Sequence, residues 1–426
     1  MDKISNLSDP ILCHILSFLP IHLSARTSVV AKRWRYVWTY VPDLRLIDEG
    51  FFQNKMDFPD MVDRFLLLHN CSIDTFTVRL TDDYVADNRI QAWVTAAVAR
   101  DVRVLSLFVI YRVRLPQCCF ECKTLVEMTL EDCSIESEAG EVCLPGLKKL
   151  RLLWNCYVND ESLPNLLSGC PALEDLLIET DWCVEKNCCY VRSPTIKSLV
   201  LRFVLPCIPE YHDCQHKLLL DTPAVQYLEI HDCFSQSQII VPQNLSSLVE
   251  GQVCFSWDLF FEVKDCWRSI FHFVDKLSNA KSLTLRNNVS MKLLDSTFSI
   301  GTTKFHNLIK LEIEADWYIL LTELLQSAYN LESLTVLKVK DELKRWREPK
   351  QLPKCLLSSL KYVVIHGFEG GDDELNMIRY ILRHAKVLQR MDINSVSHGE
   401  DAKILEQVSY SSRASQMCRL TFVSDV

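Results

Sequence analysis

Residue types able to hold a metal or act as a nucleophile are plentiful in this chain, but few are spaced to work together. The sharpest cluster is His212-Asp213-Cys214-Gln215-His216. Alternate residues of an extended segment project to one side, so this stretch would present two imidazoles and a thiolate, with Cys207 near in sequence. Zinc sites of known type keep other spacings, and the stretch interrupts two apolar repeats, so it reads as a surface loop. Cys118-Cys119-x-x-Cys122 supplies one CxxC without a matching second pair and reads as structural. The run Glu369-Gly370-Gly371-Asp372-Asp373-Glu374 resembles a cation site in composition, yet carboxylates just before an apolar-periodic segment suit the positive end of a helix. Lys32-Arg33-Trp34-Arg35 could face a nucleic acid, and Trp34 and Trp38, four apart, are expected on one face of a helix. No GxSxG elbow, HExxH helix, GxGxxG or GxxxxGK[ST] loop occurs, and scattered Ser, Cys, His and Asp residues do not define a triad. The expectation is therefore no catalytic residues, no metal and no cofactor.

Bulk properties agree. A net charge of -9 argues against a general nucleic-acid binder, which needs basic surface to neutralise phosphates. No run approaches 18 apolar residues and the N-terminus shows no signal-peptide core, so a soluble protein of the cytoplasm or nucleus, away from membranes, is expected. The 19 cysteines are scattered among apolar repeats and read mostly as small buried hydrophobes rather than a disulfide framework.

What these residues stand on is a repeat. Past residue 70 the pattern LxxLxL recurs as Ile73-Phe76-Val78, Val102-Leu105-Leu107, Leu125-Met128-Leu130, Leu147-Leu150-Leu152, Leu173-Leu176-Ile178 and Ile196-Leu199-Leu201. It continues as Val225-Leu228-Ile230, Ala280-Leu283-Leu285, Leu308-Leu311-Ile313, Leu331-Leu334-Val336, Leu360-Val363-Ile365 and Leu388-Met391-Ile393, with a degraded copy expected near Leu245-Leu248. Apart from that gap, successive copies start 22 to 29 residues apart, the period of leucine-rich repeats. Two apolar residues two apart on a short strand point inward together. Asn or Cys three residues later, at Cys133, Asn155, Cys233 and Asn288, is placed to satisfy backbone groups in the turn leaving the strand. Helices are expected between strands, from Asp160 to Ser168 closed by Gly169, from Trp317 through Leu325, and from Asp372 to Ala385 burying Leu375, Ile378, Ile381 and Leu382. Such units bury their apolar faces only by stacking, which predicts an α/β fold: a curved solenoid with a parallel sheet on its concave side. A helix over residues 58–69 is expected to close its N-terminal end.

The first 40 residues follow another pattern. Asp9 is placed as an N-cap with Pro10 as first helical residue, and the helix should run until Pro20 stops it. Ile11, Leu12, Ile15, Leu16 and Leu19 fall on one side. A second helical pattern from Leu23 to Val30 runs into Trp34 and Trp38. Residues 4–20 and 27–38 resemble the F-box, by which a large family of adaptors plugs into SCF-type ubiquitin ligases. One departure is that Leu7 is followed by Ser8 rather than Pro, which leaves the approach to the first helix looser. Trp346-Arg347-Glu348-Pro349, residues 352–361, Gly367-Phe368-Glu369-Gly370, Arg379-Tyr380-Ile381-Leu382 and Arg413-Ala414-Ser415 resemble the FBD domain, which accompanies an F-box and leucine-rich repeats in many plant proteins. The implied organisation is an N-terminal helical F-box (1–45), a linker and cap (46–72), leucine-rich repeats (73–345) and a C-terminal FBD region continuing the solenoid (346–426).

The resemblance implies a non-catalytic adaptor. Its F-box docks on a Skp-type linker protein, held in turn by a cullin scaffold with a RING subunit, while the repeats hold a protein substrate for ubiquitination. Leu7, Ile11, Leu12, Ile15, Leu16, Leu19, Val30, Trp34 and Trp38 are the expected docking residues, and replacing Leu12 and Leu16 by Asp is expected to abolish linker binding. On the strands, outward positions such as Lys149, Asp175, Val200, Glu229 and Glu312 form a mixed strip, with Arg151, Leu177 and Tyr227 as expected substrate anchors. Two other readings stand beside this one: a solenoid that senses a small molecule, and a scaffold that sequesters partners without ubiquitination.

Overall fold

A strand with inward apolar residues at alternate positions needs neighbouring strands beside it and cover behind it; the chain supplies parallel neighbours along the sheet and a helix behind several of the strands. The computed structural model describes residues 4–48, 57–69, 71–81, 85–136, 141–181, 188–204, 217–232, 238–242, 245–255, 272–287, 304–314, 318–337, 346–395, 408 and 411–424. They fall into two units, Met1–Ile196 and Lys197–Val426.

In the first unit, helices α1 (Asp9–Ser17) and α2 (Ile21–Arg26) and three short 3-10 turns lead into strand β1 (Asp43–Ile47). Then follow α3 (Phe58–Leu68), β2 (Thr75–Arg79), α4 (Asp87–Val98), β3 (Val104–Arg114), β4 (Glu127–Ile135), β5 (Lys149–Leu153), the short β6 (Cys156–Tyr157), α5 (Ser162–Ser168), β7 (Asp175–Asp181) and β8 (Cys188–Arg192). β1, β2, β3, β4, β5 and β7 pair in that order, all parallel. Their registers align Leu44, Phe76, Leu105, Met128, Leu150 and Leu176 in one buried row, and Leu46, Val78, Leu107, Leu130, Leu152 and Ile178 in a second. α4 packs on β3 and α3 on α4, which puts the core between the sheet and a helix layer.

The second unit repeats the scheme with β9 (Ser198–Val204), β10 (Lys217–Asp221), β11 (Tyr227–Asp232), β12 (Gln238–Ile240), β13 (Glu250–Phe255), β14 (Ser282–Asn287), β15 (Lys310–Glu314), β16 (Ser333–Leu337), β17 (Tyr362–Phe368), β18 (Arg390–Ser395) and β19 (Arg419–Ser424). β9, β11 and β13 to β19 form consecutive parallel pairs. β10 pairs with β12 separately. The degraded copy is a true strand: Leu248 and Val253 are buried, while Gly251 stands where the row otherwise carries a large side chain. A Cβ on Gly251 would lie 3.2 Å from a Leu283 methyl, so neighbouring leucines already occupy that space.

Among the strands outside the twelve expected repeats, β1 and β19 pair directly with the first and last copies, one at each end. Val41-Leu44-Leu46 keeps the same spacing as the other copies, and all three are buried. The helix expected to close the array, α3, is therefore the crossover between β1 and β2, since these two strands pair directly. The Asp372–His384 helix buries Leu375, Ile378, Ile381 and Leu382. The acidic run before it acts as a cap: Glu374 Oε2 accepts from the amides of Gly371 (2.9 Å) and Glu369 (3.3 Å). Gly370 takes φ 82°, the left-handed conformation a glycine adopts without strain. Trp317, expected at a helix start, lies outside the described residues, and that helix runs Tyr318–Ser327.

Candidate functional site

Two surfaces stand out, the N-terminal helices and the open face of the sheet. α1 begins at Asp9 rather than Pro10, with Ser8 as its extended N-cap and Pro10 in the first turn, and it ends at Ser17, short of Pro20. The N-cap uses its backbone, the Ser8 carbonyl accepting from Ile11 and Leu12 at 3.0 Å each. α1 sorts its apolar residues by face. Leu12 and Leu16 are 0% and 1% exposed, whereas Ile11 and Ile15 are 48% and 39% exposed. Ser24 fastens α2 to α1 by donating to the Leu16 carbonyl (2.9 Å). Trp34 and Trp38 do not share one helix: they sit in separate 3-10 turns, Lys32–Arg35 and Val37–Tyr40, broken at Tyr36, and both are buried. Trp38 meets Phe65 of α3 edge-on at 5.2 Å, which joins the helical segment to the sheet region.

The sequence-expected set thus divides. Leu12, Leu16, Trp34 and Trp38 form the interior; Ile11, Ile15, Leu19 and Val30 are exposed, and Leu7 is half-buried. Replacing Leu12 and Leu16 by Asp would put two charges in the interior, so that variant reports on folding as much as on docking. Three exposed apolar residues join the surface, Phe18, Leu23 and Val29. They stand off the apolar stripe that spacing singles out on α1, at its C-cap, on α2 and in the 3-10 turn Thr27–Val29. Arg33 clamps the segment before α1, donating to the carbonyls of Ser5 and Leu7 and to Asp9 (2.9 Å), while Trp34 Nε1 donates to Ser5 Oγ (2.8 Å). These contacts hold Leu7 and Ser8 where a proline ring would otherwise restrict the backbone.

On the open face of the first sheet, outward side chains fall into three rows by register. The outer rows are Asp43, Thr75, Val104, Glu127, Lys149 and Asp175, and Ile47, Arg79, Phe108, Glu131, Leu153 and Glu179. Between them run Arg45, Thr77, Ser106, Thr129, Arg151 and Leu177. Lys149 is bonded to Glu127 (2.9 Å), and the Arg79 guanidinium stacks 3.8 Å from the Phe108 ring centre. Burial pushes the Glu131 carboxyl up, offset in part by Arg79. Arg151 and Leu177 are register partners on β5 and β7. Arg45 lies where the F-box pattern meets the linker in the sequence, and only the Val41-Leu44-Leu46 spacing signals its strand.

Tyr227 belongs to the second unit, where it is occupied. Its hydroxyl donates to Glu229 Oε2 at 2.7 Å, and Arg202 donates to Oε1 at 2.9 Å. Burial raises the Glu229 carboxyl, but these two donors outweigh it and leave its pKa lowered. The same contact, added to burial, pushes the Tyr227 phenol up to about 12.

Asn155 acts as expected of its position. Buried beyond β5, it accepts from Cys133 N–H and donates to the Leu130 carbonyl, both at 2.8 Å, bridging consecutive repeats. The equivalent Cys233 and Asn288 lie outside the described residues, as does the His212–His216 stretch with Cys207. Among the described residues no group of three or more His, Cys, Asp or Glu is placed to hold a metal ion, and no helix is long and apolar enough to cross a membrane. Cys119, Cys122 and Cys133 are buried; burial pushes the Cys133 thiol up to about 12 and Cys119 well above its ordinary value.

Comparison with known proteins follows this division. The F-box domain family matches residues 4–46, the family described as "FBD-associated F-box protein At5g56370, LRR repeats" matches residues 90–239, and the FBD family matches residues 348–393. In Arabidopsis thaliana, the F-box/FBD/LRR-repeat protein At5g56420 is 30% identical, covering 99% of this chain and 99% of its own length. F-box/FBD/LRR-repeat proteins At3g26920 and At4g26340 are each 29% identical over 99% of this chain and cover 96% and 100% of their own lengths.

Proposed function

The chain belongs to the F-box/FBD/LRR-repeat family, and from that premise we propose that it is the substrate-recognition adaptor of an SCF-type ubiquitin ligase. Its F-box docks on a Skp-type linker protein, which a cullin scaffold bearing a RING subunit holds in turn, and the repeats hold a target protein. The adaptor adds no catalytic residue. It supplies proximity, since holding the target lysine beside the E2 thioester raises the effective concentration of one reactant at the other. Its place of action is inside the cell, in cytoplasm or nucleus, where these partners work.

The observation that carries the reading is the uncovered apolar surface of the first 30 residues. Ile11, Ile15, Phe18, Leu19, Leu23, Val29 and Val30 are all exposed, while Leu12 and Leu16 secure the same helices from inside. Large apolar side chains concentrated on so short a segment mark a protein interface rather than ordinary solvated surface. The docking residues are accordingly the exposed ones, with Leu7 at the margin; Leu12, Leu16, Trp34 and Trp38 support them.

The test is co-expression of the full chain with a plant Skp-type linker and affinity purification of Ile11→Asp/Ile15→Asp beside Leu12→Asp/Leu16→Asp. The first variant should keep its thermal transition and lose the linker. The second should lose the linker together with the local fold. Undiminished recovery of the linker with Ile11→Asp/Ile15→Asp would refute the assignment, and recovery of the linker without cullin would favour a sequestering scaffold.

A further inference from the structure

Resting on the adaptor reading, we infer that the middle row of the first sheet's open face is a binding groove for an extended acidic segment of the substrate. The row runs Arg45, Thr77, Ser106, Thr129 and Arg151, one residue from each of β1 to β5, with Leu177 beyond on β7. Both arginines are exposed, and among the described residues neither has a side-chain hydrogen bond or ion pair. Their neighbours on the face differ: Lys149 is neutralised by Glu127, and Arg79 lies on Phe108 within the field of Glu131. The two uncommitted cations are thus in one row.

Between them stand three small hydroxylated side chains, each half-buried. They leave a trough with hydroxyl donors and acceptors on its floor, suited to the N–H and C=O groups of a peptide backbone. Phe108 and Leu153 border it on one side, and Leu177 extends it past Arg151. Its length follows from strand spacing: four steps of about 4.8 Å place Arg45 and Arg151 about 19 Å apart. An extended segment rising about 3.3 Å per residue covers that distance in about six residues. A peptide lying across the strands with carboxylates about six positions apart would therefore meet one arginine at each end.

Carboxylate fits better than phosphate. Each pole is a single guanidinium, whose planar fork pairs bidentately with one carboxylate, whereas phosphorylated motifs are taken by clusters of arginines. The rows on either side carry Asp43, Asp175, Glu131 and Glu179, which repel an acidic segment that strays and hold it to the middle row.

The test uses a phage-displayed library of random linear 12-residue peptides, selected against the full chain co-expressed with the linker protein. Wild type should enrich peptides with Asp or Glu at two positions five to seven apart. A selected peptide resynthesised with one acid as amide should bind about tenfold more weakly, the scale of a lost charge-assisted pair. Arg45→Glu/Arg151→Glu should turn the preference to Lys or Arg at the same two positions, a change that mere loss of folding cannot produce. No enriched peptide, enrichment without the paired acids, the same selection by the double variant, or a requirement for phosphoserine at those positions would each overturn the inference. Linker recovery by the wild type is read separately. If the linker fails to bind and the paired acids are still selected, the adaptor reading fails and the groove stands.

Discussion

Asn155→Ala removes one side chain and unpairs two backbone groups. Asn155 is 5% exposed, and its amide accepts from Cys133 N–H and donates to Leu130 C=O, each at 2.8 Å. The alanine variant leaves a donor and an acceptor of β4 facing a small void. Each unsatisfied group costs about 1–3 kcal/mol, so a loss of roughly 3 kcal/mol is a conservative sum. For a unit the size of the first one, about 2–4 °C of thermal midpoint is lost per kcal/mol, which gives a fall of roughly 6–12 °C. Because Thr129 and Arg151 are register partners on the two strands Asn155 bridges, the groove should loosen with it. Scanning calorimetry of the full chain measures the midpoint, and hydrogen exchange of peptides covering residues 130–135 reports on the Cys133 amide. Asn155→Asp sharpens the result, since a carboxylate still accepts from Cys133 N–H but cannot donate to Leu130. Its Cys133 amide should stay protected while the midpoint falls. A fall below about 2 °C in Asn155→Ala, with the Cys133 amide as protected as in the wild type, would refute the reasoning.

Three further outcomes follow from the geometry. A Cβ on Gly169 would lie 2.4 Å from Val142 Cγ1 and 2.5 Å from the Val142 carbonyl, so Gly169→Ala should cost about 1–3 kcal/mol by overpacking, measured as a lowered denaturation midpoint that Val142→Ala relieves only in part. His69 is buried, with Nε2 2.8 Å from the Val41 carbonyl, and burial holds its pKa below the ordinary value. Below about pH 6.5 the unfolded chain then takes up a proton that the folded chain refuses, so the stability this ring contributes is present at neutral pH and lost on acidification. The gap in melting temperature between wild type and His69→Gln should narrow from pH 7.5 to about 5.5; a constant gap would count against it. Finally, Cys143 is the exposed thiol among the described cysteines, whereas burial pushes Cys170 and Cys355 up to about 12. Brief iodoacetamide treatment at pH 8 should modify Cys143 well before these two, by peptide mass mapping.

Much of the architecture was legible because the repeat is written locally. An inward pair two residues apart, a helix behind it and an Asn in the outgoing turn are properties of some 25 residues at a time. Even the weakest copy announced itself through Leu245 and Leu248, although not that Gly251 would give its place to Leu283. Boundaries were less legible. Val41-Leu44-Leu46 has the repeat spacing but sits beside a helical segment of a different pattern, so β1 was absorbed into that segment and α3 took on the role of an end cap.

The binding surfaces depended on three-dimensional placement to a greater degree. Periodicity names the apolar residues of α1 but treats Ile11 and Leu12, or Ile15 and Leu16, as equals; only the packing of α2 and the 3-10 turns decides which is interior and which is offered to a partner. Arg33 shows the same limit, since nothing in its spacing tells that a side chain 26 residues on would hold the Leu7 carbonyl. Arg45 and Arg151 lie more than 100 residues apart in the chain and come onto one row through four strand registers. Hydrophobic spacing is a short-range code and is read directly from the amino acids, so family, repeat and strand direction were available from them. Exposure and the joining of distant polar groups are set by what else packs against each element, and those belong to the folded structure.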